Sequence, residues 1–444
     1  MRSDRETASR LLDGARKRGA DFAEVFIRSG KNLTVEVRGQ APEAVESSRH
    51  FGYALRVIRD KRLGFSYSTD SREAESVLEN AVEASRWTER DDYLGLPEPG
   101  AKESPEIFDD EAASISEEDA VARALLLEKA AFDVDKRITK TRKPAVSFSR
   151  SEVVIMNSRG VDDAYSSTSV TAQIMVVAEE AGDSQSGWDF DGNRFLGEVS
   201  FEAVGRGAAE RALRMLGARK IASAKVPVIL DNSVAAEFLG IFSSLLSSEA
   251  VQKGKSLLAG KMGQGVVSPV ISIVDDGQIP RKLGSRPFDD EGVAILRKDL
   301  IRDGVLTGYL YNSHTANRGG VRSTGNAVRA GLSSIPGVGP SNLSIAVSPR
   351  HIQRGKLFPL VERGLYITDA MGVHTANPIS GEFSIGVSGL WIEHGIVRYP
   401  VKEAVVSGNI LDFFGKVEAA GDDLRFYGGI GAPSLLIGPT DVSA

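Results

Sequence analysis

With 444 residues, the chain has material for two or three domains at ~100–200 residues each, which excludes a peptide hormone or a lone binding module. Its 54 Lys and Arg against 60 Asp and Glu give a net charge of −6, with both signs interspersed, so no nucleic-acid partner is expected. The absence of cysteine removes disulfides, thiolate metal ligands and thiol nucleophiles together, and suits a reducing, cytoplasmic setting.

Ala8, Leu11, Leu12 and Ala15 recur at helical spacing and predict an amphipathic opening helix over 3–18. This charged segment has no secretory core, and no apolar run approaches the ~18 residues of a membrane span, so a soluble protein without membrane association is expected. The runs AEVFIRS (23–29), LTVEVRG (33–39) and YALRVIRD (53–60) read as three strands bounded by turn residues. Residues 71–87 and 117–134 carry apolar stripes of helical period, and the Pro-containing, acidic stretch 88–116 reads as a long surface connection. Alternation from Ala145 to Gly187, broken by Ser158-Arg159-Gly160, predicts an antiparallel hairpin or meander, and 201–216 a further helix. The fold class is therefore α+β, with an N-terminal α/β domain (1–220) whose antiparallel sheet is flanked by helices. After it comes a Gly-rich, β-dominated C-terminal domain (221–444) of short strands with little helix. The 46 glycines exceed the ~31 that ~7% average usage gives, consistent with turn-rich β structure.

Few short motifs survive scrutiny. His50, His314, His351, His374 and His394 are well separated, with no zincin motif or finger; His314 and His374 sit in polar turns where a surface role is the default. KGKS (253–256) has Glu249 where a P-loop needs its first Gly. Asp189, Asp191 and Asn193 open like an EF-hand, but Arg194 and Ser200 stand where Gly and Glu belong, so a tight turn is expected. GVSG (386–389) lacks the spacing of a nucleophile elbow. The clusters Asp275-Asp276 and Asp289-Asp290-Glu291 could hold a divalent cation or serve a hydrolase or transferase as acid and base, but their Gly-rich context predicts solvated loops.

The second half carries more specific strings. FDDEGV (288–293), the following L-I-x-x-G-x-L-x-G-Y (300–309), the STGN turn (323–326) and WIEHGIVRYPV (391–401) resemble the TldD/PmbA (TldE) family of cytoplasmic peptidase subunits. In that family the TldD-type subunit is similar to a zinc protease: a HExxxH helix supplies two His ligands and a Glu base, and a Cys near the C-terminus completes the site. Neutral imidazole and thiolate leave zinc an open position for water, and the Glu takes the water's proton.

Matched to that helix, Ala236-Glu237-Phe238-Leu239-Gly240-Ile241 keeps only the Glu. Ala236 and Ile241 replace the His ligands, and there is no Cys. The resemblance therefore implies the PmbA/TldE branch, a metal-free subunit with no catalytic residue and no cofactor of its own. It further implies pairing with a TldD-type zinc protease subunit that degrades or trims unfolded peptides and leader peptides, and a homodimer when alone. Motif position suggests peptide contacts at Tyr311, Asn312, Ser323, Thr324, Gly325, Asn326 and His374, since strands at a cleft can hold an extended peptide through main-chain hydrogen bonds. The competing reading is a stand-alone peptide- or protein-binding regulatory protein without protease activity, in keeping with the family's older description as a gyrase modulator.

Overall fold

In the computed structural model, which describes residues 2–443, helix α1 (Arg2–Lys17) leads into strands β1 (Phe22–Arg38), β2 (Ala41–Arg59) and β3 (Arg62–Ser68). Helices α2 (Ala74–Ala84), α3 (Asp110–Ala113) and α4 (Glu117–Phe132) follow, then β4 (Ile138–Asn157), β5 (Asp162–Glu180), β6 (Asp183–Asn193) and helix α5 (Phe201–Arg214). The six strands form one antiparallel sheet in the order β3-β2-β1-β4-β5-β6. Period-two alternation puts Val25, Ile27 and Val154 under α1 and α2, and Val35, Val146 and Ile174 under α4 and α5. Both groups lie on one face of the sheet.

Two of the three strands expected at the start are one. β1 runs unbroken through Gly30-Lys31-Asn32, because Gly30 serves close approach rather than a turn: a Cβ there would fall 2.5 Å from the Arg150 carbonyl oxygen and 2.7 Å from the His50 ring. The first half of β2 is exposed on both faces, so it carries no apolar alternation to read. Asp189, Asp191 and Asn193, expected in a turn, lie in β6 opposite Ile174, Ala172 and Val170. The stretch 88–116 runs over the surface but anchors Leu96 and Ile107 inside.

The remaining chain is built around β7 (Ala224–Leu230) and helix α6 (Asn232–Ser243), followed by the short α7 (Ser248–Gln252). Next come β8 (Ile273–Asp275), β9 (Lys298–Arg302), β10 (Val305–Leu306), α8 (Ser313–Gly319), β11 (Ala327–Val328), β12 (Gly337–Val338) and β13 (Leu343–Ile345). The chain continues through β14 (Arg363–Met371), β15 (Glu382–Glu393), β16 (Ile396–Asn409), α9 (Ile410–Gly415), β17 (Val417–Ala420), β18 (Arg425–Tyr427), β19 (Ile430–Ala432) and β20 (Leu435–Ser443). One sheet has the order β16-β15-β14-β7-β20-β17, with β16 also pairing β20, and another the order β10-β9-β8-β13-β19-β18. Their inner faces share a single apolar cluster with α6, in which Phe238 stacks on Phe413 at 4.9 Å and meets Phe383 edge-on at 5.2 Å. This half is β-dominated, as expected, but a buried helix occupies its centre. Among the described residues no helix is long and apolar enough to cross a membrane.

Candidate functional site

Helix α6 starts where β7 ends because Asp231 caps it: its carboxylate accepts from the Ser233 backbone N–H at 3.3 Å and the Ser233 hydroxyl at 2.9 Å. Val234, Ala235, Ala236, Phe238, Leu239 and Phe242 are buried, whereas Glu237 points outward. The Asp231 carboxylate also receives Arg211 of α5 at 3.1 Å, Arg354 at 3.0 Å and the Tyr366 hydroxyl of β14. Although burial alone would raise it, these partners, Arg211 foremost, hold the Asp231 carboxyl below its usual range. Beside it, Asn232 donates to the Asp423 carbonyl at 3.1 Å and accepts from the Tyr427 hydroxyl at 2.9 Å. Burial pushes the Tyr427 phenol up to about 12. The start of α6 is thus locked to α5, β14 and β18 by a polar network.

Glu237 stands apart from that lock. The residue is exposed, yet partial desolvation of its carboxyl by the surrounding protein, with the Asp369 charge on β14 second, pushes it up to about 7. A carboxyl whose folded-state value is raised contributes stability below its ordinary value of 4.5 that is lost as pH rises through about 7. We therefore expect a carboxyl-detected ¹³C titration of Glu237 to show a midpoint near 7, moved down by Asp369→Asn. A midpoint in the ordinary Glu range would refute the desolvation argument.

Zinc does not fit here. Ala236 offers a buried methyl group and Ile241 a hydrocarbon branch packed against the core, so neither can donate to a metal. Among the described residues no three His, Cys, Asp or Glu side chains come close enough to share an ion.

Six of the residues singled out as peptide contacts come together. The Tyr311 backbone N–H donates to Thr324 Oγ1 at 2.7 Å, the Ser323 hydroxyl donates to the Tyr311 carbonyl at 3.2 Å, and Thr324 donates to Asn326 Oδ1 at 2.7 Å. Asn312 caps α8 in a reciprocal pairing with Thr315. Gly325 sits at φ +71°, where a Cβ would fall 2.4 Å from the Ala294 carbonyl oxygen. Asn326 is buried against Asp275 and Lys298, at 2.8 Å from each. Ser323 reaches the wall of a cavity of about 640 Å³ that also touches Gly95, Ala294 and Asn317. His374 falls in the helical turn Val373–Thr375, and its side chain lies outside the described residues. His314 opens α8 and binds Asp91 at 2.8 Å.

The acidic clusters correct the expectation of solvated loops. Asp275, Asp289, Asp290 and Glu291 are buried and Asp276 is half-buried. Asp289 accepts from the backbone N–H groups of Glu291, Val293 and Ala327 at 3.0, 2.9 and 2.8 Å; burial, then the Glu291 charge, pushes its carboxyl above the usual range. Asp290 binds Arg286 at 2.7 Å and the Arg329 N–H at 2.7 Å, while Glu291 binds Arg56 at 2.9 Å and the Ser313 N–H at 2.8 Å. Asp275 accepts from Lys298, Asn326 and Ser341. These carboxylates are engaged by the protein itself, which leaves them no vacancy for a divalent ion. Arg286 and the Glu291 and Val293 N–H groups are close in the chain, but Arg56, Lys298, Ser313, Ala327 and Ser341 are not, and these remote partners complete the burial.

Comparison with known proteins follows the same geometry. Models described as PmbA/TldA metallopeptidase domain 1, central domain and C-terminal domain match residues 23–85, 110–216 and 223–444. The chain is 29% identical to the metalloprotease PmbA of Escherichia coli O157:H7 over 97% of its length and 93% of that protein. It is 28% identical to a PmbA homologue of Haemophilus influenzae over 99% of its length and 96% of that protein. A solved Thermotoga maritima protein, described as a candidate modulator of a DNA gyrase, superposes with a TM-score of 0.91 at 27% identity, covering 99% of this chain and 100% of that one. TldE from Thermococcus kodakarensis, at 22% identity, shares the fold with a TM-score of 0.89 over 99% and 100%. The three matched domains together run from residue 23 to residue 444, and the chain belongs to the PmbA/TldD metallopeptidase family.

Proposed function

We propose that this protein is a noncatalytic TldE/PmbA-type subunit that works in the cytoplasm with a zinc-bearing TldD-type partner to degrade or trim unfolded peptides and leader peptides, and that it pairs with itself when alone. The observation that carries this reading is the α6 sequence, in which Ala236 and Ile241 occupy the ligand positions around Glu237. A carboxylate without imidazole or thiolate neighbours cannot hold zinc and leave it a water position. The partner supplies the chemistry. The hydrogen-bonded turn of Tyr311, Asn312, Ser323, Thr324, Gly325 and Asn326, with His374, is the part of this subunit assigned to peptide contact, its internal hydrogen bonds keeping the ordering cost of binding low.

The test mixes the purified chain with the TldD-type protein of the same source and follows cleavage of an unstructured peptide, each chain alone serving as control. Cleavage is expected only in the mixture. Cleavage by this chain alone would defeat the proposal. Relatives described as gyrase modulators favour the stand-alone regulatory reading, which gains if the mixture is inert on every peptide tried.

A further inference from the structure

The central sheet has a second face. Opposite the helices, three neighbouring rungs align Arg28, Val153 and Tyr165, then Gly30, Ser151 and Ser167, then Asn32, Ser149 and Ser169. Period two puts these side chains on one side. On an open sheet they would meet solvent. Here loops of the C-terminal half roof them, bringing Leu283, Arg286, Arg329 and Ser341 over the strands and enclosing a chamber of about 340 Å³, within the size range of small-molecule sites. One end is sealed where Phe26, Val153, Ile155 and Val161 pack on Phe288.

Four guanidinium groups line this chamber, those of Arg28, Arg194, Arg286 and Arg329, against one carboxylate, Asp290. Asp290 is taken by Arg286 at 2.7 Å, and Arg329 pairs with Glu24 at 2.8 Å. Arg28 and Arg194 have no carboxylate partner among the described residues. Arg194 is tied instead to the backbone carbonyls of Thr168, Lys282, Leu283 and Ser285; burial first, with the charges of Arg286 and Arg28 adding, pushes it down to about 10. Two unneutralised cations thus share a confined space, an arrangement that an anion relieves. Ser151 and Ser167 make no side-chain hydrogen bond to another described residue, so their hydroxyls are free to donate. Arg28, exposed at the mouth, is the group free to grip a ligand in a two-point fashion.

We propose that this chamber binds a small ligand through an oxyanion, a carboxylate or a phosphate, gripped by Arg28 and the Ser151 and Ser167 hydroxyls within the field of Arg194. This inference is independent of any protease partner. Isothermal titration of the full chain at low chloride would use three probes: inorganic phosphate, N-acetyl-dialanine with its free carboxylate, and the C-terminal amide of the same dipeptide. Saturable binding of phosphate, the free acid or both is expected, and none of the amide. A preference for the free acid identifies a peptide terminus as the source; a preference for phosphate identifies a phosphorylated small molecule. Arg28→Gln, at an exposed and unpaired position, is expected to leave the melting midpoint unchanged and weaken binding about tenfold, with Ser151→Ala giving a smaller loss. Absence of saturable binding by either oxyanion, equal binding of the amide, or unchanged affinity in both variants would overturn the proposal.

Discussion

Arg56→Met is expected to destabilise the folded chain by about 3–5 kcal/mol, seen as a lowered midpoint in denaturant unfolding. Arg56 on β2 lies 2.7 Å from Glu24 on β1 and 2.9 Å from Glu291 in the C-terminal half. Its side chain is only 8% exposed and both carboxylates are fully buried. Removing the cation strands buried carboxylates whose desolvation was compensated by it. Glu24 keeps Arg329 and Glu291 keeps the Ser313 N–H, so Glu291 suffers more. The double change Arg56→Met with Glu291→Gln should therefore recover part of the loss, since replacing both partners removes the uncompensated charge. A single-variant loss below about 1 kcal/mol, the ceiling of ordinary surface pairs, would show that this cluster does not join the two halves energetically.

The second large effect is expected at Asp231. Asp231→Ala removes a helix cap, at about 1 kcal/mol, and leaves Arg211 and Arg354 without their shared carboxylate, for a total of about 3–4 kcal/mol. Asp231→Asn, which can still cap, should lose less. The effect carries a pH signature with a definite sign. Because the folded-state value of Asp231 is depressed, its contribution is complete above the ordinary Asp range near ~4 and is lost as pH falls through the folded-state value. The gap between the native chain and Asp231→Asn should consequently be constant from neutral pH down to about 5 and narrow below about 4. A gap that instead widens in acid would contradict the network described around α6.

Much of this architecture is legible from pattern alone, and the exceptions share a cause. Helices α1, α4 and α5 show because each buries one stripe, and β4 and β5 show because one face is apolar throughout. The second half of β2 shows as the run 53–60, but its first half hides because it has no buried face. Asp231 escapes local reading, because Arg211, Arg354 and Tyr366 are brought to it by tertiary folding and leave no local trace. The same holds for Asp289, Asp290 and Glu291: beside glycine they look solvated, and only the arrival of Arg56 and of the Ser313, Ala327 and Arg329 N–H groups makes them interior. Ser149, Ser151, Ser167 and Ser169 alternate visibly, yet they read as an outer face because their roof is supplied by residues from 281 onward. Local periodicity reports which side of an element is apolar; it does not report what will later cover the other side.

The position of β7 has a kinetic consequence. It lies between β14, in parallel register from Leu365 opposite Val228, and β20, in antiparallel register from Leu435 opposite Leu230. Both neighbours are synthesised long after it. Until residues beyond Arg363 have emerged from the ribosome, the apolar strand VPVIL has open hydrogen-bonding edges on both sides, and α6 has no sheet to bury its aromatic face. Closing such distant pairings is entropically slow, and an apolar strand waiting with two open edges is the kind of segment that pairs with the wrong chain. The C-terminal half should therefore depend on chaperone protection or cool, dilute refolding, whereas the N-terminal sheet, in which every pairing except that of β1 with β4 joins strands consecutive in the chain, can assemble largely as it is made.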